Sequence, residues 1–166
     1  MKPRLLSLLA MLALVTACGI YSFSGTSIQA DVKTITIPYV EYKALRVNPS
    51  LSANLTQALQ EKYRKLTSLE QVDVDGDLEV VCEITGYEVA ATAVTADEVA
   101  AQNRLTVTVH CTFTNRKYPE EDVDQNFSAY ADYDSTLSLD AVESNLCQTI
   151  IETLCEDIFN ATVAQW

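Results

Sequence analysis

The chain has 166 residues, 48% of them hydrophobic, with 11 basic side chains against 23 acidic ones, a formal charge of −12. That length makes one domain with its own hydrophobic core the default. The charge argues against nucleic acid as a partner, since phosphate binding needs clustered Lys and Arg, and it keeps long-range attraction from being the main source of affinity for an anionic lipid surface.

Lys2 and Arg4 precede an apolar run from Leu5 to about Val15, which closes on Thr16-Ala17 directly before Cys18. This is the layout of a secretory signal peptide. The run is about half the ~20 apolar residues that a bilayer-spanning helix needs. Val15-Thr16-Ala17-Cys18 also resembles the bacterial lipobox, where the cysteine sulfur takes a diacylglycerol group, the peptide is cut before it, and the new amino terminus is acylated, typically with palmitate. The expectation is therefore a signal peptide over residues 1–17, a lipidated Cys18 and tether over 18–31, and one domain over 32–166. The mature part keeps nine basic residues against 23 acidic ones. Three acyl chains would hold it on a membrane almost permanently.

Residues 32–37 alternate apolar and polar with β-branched side chains, which predicts a strand stopped by Pro38. Asn48-Pro49 then offers a capping residue and a first-turn proline, and Leu51, Leu55, Leu59, Tyr63 and Leu66 recur at helical spacing. Asp75-Gly76 is a turn signal. A strand follows with Leu78, Val80, Cys82 and Ile84 on one face, and its partner runs from Asn103 with Leu105, Val107, Val109, Cys111 and Phe113 inward. Residues 88–102 between them read either as a strand extension ending in a projecting loop or as a short helix. Phe127, Ala129, Ala131 and Tyr133 predict a further strand, with Tyr130 pointing the other way, and Asp132 to Ser138 a turn. Asp140 to about Val163 is the longest helix, its stripe formed by Leu139, Leu146, Ile150, Leu154 and Ile158. The fold class implied is α+β: two helices on one face of a four-stranded mixed β-sheet, in the order strand, helix, three strands, helix.

Few residues point to chemistry. The acidic run Asp73 to Asp77 fails the EF-hand pattern, because aligning Gly76 to the sixth position puts Cys82 where a bidentate Glu is needed; it reads as a solvated turn, as does Glu120-Glu121-Asp122 with Asp124. His110, the single histidine, faces outward with no nucleophile to serve. No catalytic residue, metal site or cofactor is implied. Cys147 and Cys155 are eight positions apart on one helix, about 12 Å along its axis and too far to bridge. A symmetric hairpin brings Cys82 and Cys111 nearly opposite, as a disulfide or as two free core cysteines. Arg104, Arg116 and Lys117 are the only basic residues in the middle of the chain. Tyr21, Phe23, Tyr130 and Trp166 suit either an interface or packing on the domain itself.

Residues 18–25 (CGIYSFSG), 35–39 (ITIPY), 48–51 (NPSL), 76–80 (GDLEV) with 85–87 (TGY), 102–107 (QNRLTV), 126–135 (NFSAYADYDS) and 156–166 (EDIFNATVAQW) together resemble the LptE family of lipopolysaccharide-assembly lipoproteins, in its Bacteroides-type form. Val40-Glu41-Tyr42 and the cysteines at 82, 111, 147 and 155 depart from the family pattern. The resemblance implies two helices on a four-stranded sheet, and a non-enzymatic lipoprotein on the periplasmic side of the outer membrane. It implies a plug and assembly partner of an LptD-type β-barrel, with lipopolysaccharide as a further partner. Arg104, Arg116 and Lys117 are candidate lipopolysaccharide contacts from charge alone. Candidate partner surfaces are the segment with Tyr21 and Phe23 and the 88–102 connection with Val94, Asp97 and Glu98. The runner-up reading is a lipid-anchored periplasmic binding or pilot module for another outer-membrane assembly.

Overall fold

Period-two alternation along three long strands sets the architecture. The computed structural model describes residues 28–92 and 101–164; Cys18, Tyr21, Phe23, Val94, Asp97, Glu98 and Trp166 lie outside the described residues. In chain order the elements are β1 (Thr34–Thr36), β2 (Glu41–Tyr42), α1 (Leu51–Leu66), β3 (Glu70–Gln71), β4 (Leu78–Ala91), β5 (Gln102–Asn115), a 3-10 turn (Pro119–Glu121), β6 (Val123–Asp134) and α2 (Leu139–Thr162). Along β5 the inward residues Leu105, Val107, Val109, Cys111 and Phe113 are at most 1% exposed, while Thr106, Thr108, His110 and Thr112 between them are half-buried.

The sheet has six strands where the sequence pattern implied four. Its order is β3-β1-β4-β5-β6, with β2 also paired to β4. The four expected strands are β1, β4, β5 and β6; the additions are β2 and β3, two residues each. Two residues carry no periodicity, so only their pairing defines them. The sheet is mixed: β1 runs parallel to β3 and β4, whereas β4–β5 and β5–β6 are antiparallel. The β4–β5 arms reach Ala91 and start again at Gln102, so for the described part of the 88–102 connection the strand extension holds.

One feature of β4 escaped the pattern. Ile84 pairs with Val109 and Gly86 with Thr108, leaving Thr85 as an extra residue. Such a bulge switches the side-chain parity, and Tyr87, at an odd position, is buried at 4% exposure after Leu78, Val80, Cys82 and Ile84. Glycine suits the site, since a Cβ at Gly86 would lie 3.1 Å from the Thr108 Cβ.

The two helices cover the apolar face. In α1, Leu51, Leu55, Leu59 and Tyr63 are buried, but Leu66, expected on the stripe, is 49% exposed because the helix ends there. Asn48 lies just before the helix and its Oδ1 accepts the Ser50 N–H at 3.1 Å, so it satisfies an opening amide from outside the helix proper. In α2, Leu146, Ile150, Leu154 and Ile158 are buried as expected. The helices interlock through Tyr63, which is fully buried. Its ring meets Phe159 edge-on at 5.1 Å. The Thr162 hydroxyl donates to the Ile158 carbonyl at 2.8 Å, so the Tyr63 hydroxyl is the donor to Thr162 Oγ1 at 2.5 Å. Burial pushes the Tyr63 pKa up, so it stays a phenol and a donor.

Ile28 and Gln29 lie beside Leu78, Phe113 and Asn115, where β4 begins and β5 ends. The far end of the hairpin is a full 14-residue strand away, roughly 40 Å. No helix of the described residues is long and apolar enough to cross a membrane.

The Asp75-Gly76 turn presses against β1. Asp75 takes a left-handed backbone, φ 56°, and a Cβ on Gly76 would sit 2.7 Å from the Leu78 carbonyl oxygen and from the Thr36 nitrogen. Gly76→Ala should therefore destabilise the domain by about 1–3 kcal/mol, read as a lower urea midpoint; an unchanged midpoint would show that the turn does not hold β1.

Candidate interaction surfaces

The three central cations lie at opposite ends of β5 and are already paired. Arg104 forms a fork to Asp132, with Nε to Oδ1 at 2.7 Å and Nη2 to Oδ2 at 2.8 Å. Its guanidinium lies over the Tyr130 ring, 3.7 Å from the centroid. Tyr130 points outward as the alternation predicts and is 56% exposed. Twelve residues away, about 40 Å along a strand, Arg116 meets Asp75 at 2.9 Å and Glu79 at 3.4 Å. Lys117 meets Asp77 at 3.1 Å and donates to the Asp31 carbonyl. The fold thus brings Arg116 and Lys117 together and leaves Arg104 apart, and an anionic ligand would have to displace carboxylates at every one of them.

The acidic turns are structural. Asp77 Oδ2 accepts the Lys33 N–H at 2.7 Å and the Thr34 N–H at 3.2 Å, so the carboxylate ties β1 to the start of β4. The Lys33 amide first, and then the Lys117 ammonium, hold its pKa down at about 2. Glu121 and Asp122 do more than face solvent. Asn115 is 1% exposed; its amide nitrogen donates to Glu121 at 2.8 Å, and its backbone N–H donates to Asp122 at 2.7 Å. Asn115 Oδ1 in turn accepts the N–H groups of Lys117 and Tyr118, each at 3.1 Å. This hub was missed in the sequence, where Asn115 looks like an ordinary strand-end residue. His110 lies on the outer sheet face between Asp124 and Asn126, both at 3.1 Å. Among the described residues no group of three or more His, Cys, Asp or Glu could hold a metal ion.

The opposite end of the domain carries a different chemistry. Tyr42 donates to the Arg46 carbonyl at 2.5 Å and accepts the Asn48 N–H at 3.2 Å, closing the loop ahead of α1. Tyr87 donates to Glu143 in the first turns of α2, and the Arg46 guanidinium stands 6.0 Å from the Tyr87 ring. This scaffold leaves Leu45 and Val47 in water, at 103% and 72% exposure, with Leu137 at 47%. The sequence signal was available: two aliphatic residues flank an arginine in a stretch with no helical or strand period. A groove between the helices, lined by Ala58, Glu61, Lys62, Lys65, Leu66, Glu152, Cys155 and Glu156, has a volume of about 480 Å³. Its charges are mixed, and it holds no pairing of nucleophile with base.

The family model described as LptE, lipopolysaccharide-assembly, matches residues 32–162. No curated protein sequence matches the chain significantly. Among solved structures, the chain is similar to a hypothetical protein from Chlamydia trachomatis at 9% identity and TM-score 0.52, covering 80% of this chain and 99% of that one. It is also similar to a minor lipoprotein from Acinetobacter baumannii, at 14% identity and TM-score 0.46 over 72% and 89% of the two chains. For the rare lipoprotein B from Shewanella oneidensis the values are 13%, 0.42, 74% and 89%. At 9% identity the likeness to the Chlamydia trachomatis protein is one of fold alone.

Two outcomes follow from the charge pairing. The Asp77 carboxyl titrates at about 2 in the folded chain against an ordinary 3.8, so the unfolded state takes up the proton first as pH falls. Its stabilisation is complete above the ordinary value and is lost as pH falls toward 2. Acid titration of the urea midpoint should show this loss, and Asp77→Asn should flatten it; an identical acid profile in the variant would contradict the assignment. Because Arg104, Arg116 and Lys117 form exposed ion pairs, replacing all three with Gln should leave the urea midpoint nearly unchanged. A large drop in the midpoint would instead show that these pairs hold the ends of β5.

Proposed function

The chain belongs to the LptE family of lipopolysaccharide-assembly proteins, and from that membership we propose that it is an outer-membrane lipoprotein, cut before Cys18 and facing the periplasm. It acts there as plug and assembly partner of an LptD-type β-barrel translocon that carries lipopolysaccharide to the outer leaflet. The observation that carries this reading is the family match over residues 32–162, which spans all six strands and both helices.

The geometry supports it in two ways. The chain enters the domain at Ile28, beside the start of β4 and the end of β5. Ten residues of tether from Cys18 reach at most about 35 Å, so a lipid on Cys18 would keep that end near the membrane. The β4–β5 pairing ends at Ala91 and Asn103, a strand length from Ile28, and Leu45, Val47 and Leu137 are large apolar side chains left exposed. We assign the contact with the barrel to the 88–102 connection, with Val94, Asp97 and Glu98, and to the segment with Tyr21 and Phe23. The work asked of the domain is mechanical: a rigid insert needs shape and stability, not a reacting group.

The test is affinity purification of the native lipoprotein from gently solubilised membranes, beside a Cys18→Ala control, with mass spectrometry of what is recovered. A large β-barrel of the translocon type should come with the bait in near-equal amount, and the control should be lost from the membrane fraction. Recovery of the bait alone, or with a different assembly as a pilot module would give, overturns the reading.

A further inference from the structure

The structure resolves which cysteines face each other. Cys82 and Cys111 occupy directly opposed positions of the β4–β5 ladder, both on the inward face at 2% and 1% exposure, with their Sγ atoms 2.8 Å apart. The other two thiols have different neighbours. Cys147 lies at the far end against the Asn48 side-chain amide, 3.6 Å away, and Cys155 borders the groove between the helices. We propose that Cys82 and Cys111 form a cross-strand disulfide in the exported protein, a bond that rivets the hairpin four residues in from Leu78.

The site gives the bond a purpose. The bulge at Thr85 begins three residues beyond Cys82 and is the one place in the β4–β5 ladder where the register shifts. A one-residue slip there would turn the apolar face of β4 toward water. A covalent link beside the bulge removes that alternative and leaves the exposed end of β4, Glu88 to Ala91, unconstrained.

The chemistry needs an external oxidant, a protein or small-molecule disulfide of the kind found in oxidising compartments. One cysteine, as the thiolate, attacks that disulfide to give a mixed disulfide and releases one oxidant thiol. The thiolate of the second cysteine then displaces the remaining oxidant sulfur. Two protons and two electrons leave the pair, and the oxidant departs as two thiols. In the finished core the Cys111 contact and burial push the Cys82 thiol well up, which disfavours the reactive thiolate there.

The proposal rests on export, and the test separates the two. The protein is taken from the membranes of its own host, with free thiols alkylated at lysis under denaturing conditions without reductant, and its peptides are read by mass spectrometry. The expected result is alkylation at Cys147 and Cys155 and loss of alkylation at Cys82 and Cys111, whose peptides appear joined and separate on reduction. Alkylation of all four overturns the disulfide. The amino-terminal peptide of the same sample then shows whether residues 1–17 were removed, so that the bridge fails alone if they are gone and export fails with it if they remain.

Discussion

The apolar face shared by β4, β5 and β6 is the constraint on which the rest of the molecule depends. β5 is the middle strand of this meander and contributes an unbroken row from Leu105 to Phe113. Each such side chain stabilises the fold by about 1.5–3 kcal/mol on full burial, but only if something covers it. Both helices serve that requirement. α1 brings Leu55, Leu59 and Tyr63, α2 brings Ile150, Leu154 and Ile158, and the Tyr63 to Thr162 hydrogen bond satisfies the one polar atom that Tyr63 carries into the core. The opposite face of the sheet carries threonines, His110, and the Arg104–Asp132 pair, which need no cover.

Strand length sets how far the sheet reaches beyond this core. β4 and β5 run 14 residues each, and the end of β4, with Glu88, Ala90 and Ala91, is exposed beyond the buried row. Its root is fixed by ladder bonds on both sides of β5, and Thr85 and Gly86 allow it to twist without losing its inward row. Ile28 lies beside the start of β4 and the end of β5, about a strand length from Ala91 and Gln102. That separation arises from the same alternation that builds the core.

Much of this was legible in the sequence because alternation and helical spacing are local. The inward row of β5, the outward Tyr130, the stripe of α2 and the turn at Asp75-Gly76 each follow from neighbours within a few positions, and the succession of short segments pointed to the LptE family. What was not legible depends on distant partners. β2 and β3 exist only through their pairing with β4 and β1. The bulge at Thr85 left a single hint, Gly86. Arg104 reads as a free cation until Asp132, 28 positions later, is folded against it. Asn115 becomes a hub only when the 3-10 turn brings Glu121 and Asp122 back to it.

Native-state hydrogen exchange tests the central claim directly, because it ranks each amide by the free energy needed to expose it. If the β4–β5–β6 meander and its helical cover form one cooperative core, the slowest amides should be those of β5 from Leu105 to Phe113 together with the middle of α2, and they should exchange at a common, global rate. The amides of β1 and β3 should exchange earlier. Amides of β5 that exchange well before those of β1, or a helix pair that stays protected after the meander has opened, would contradict the account.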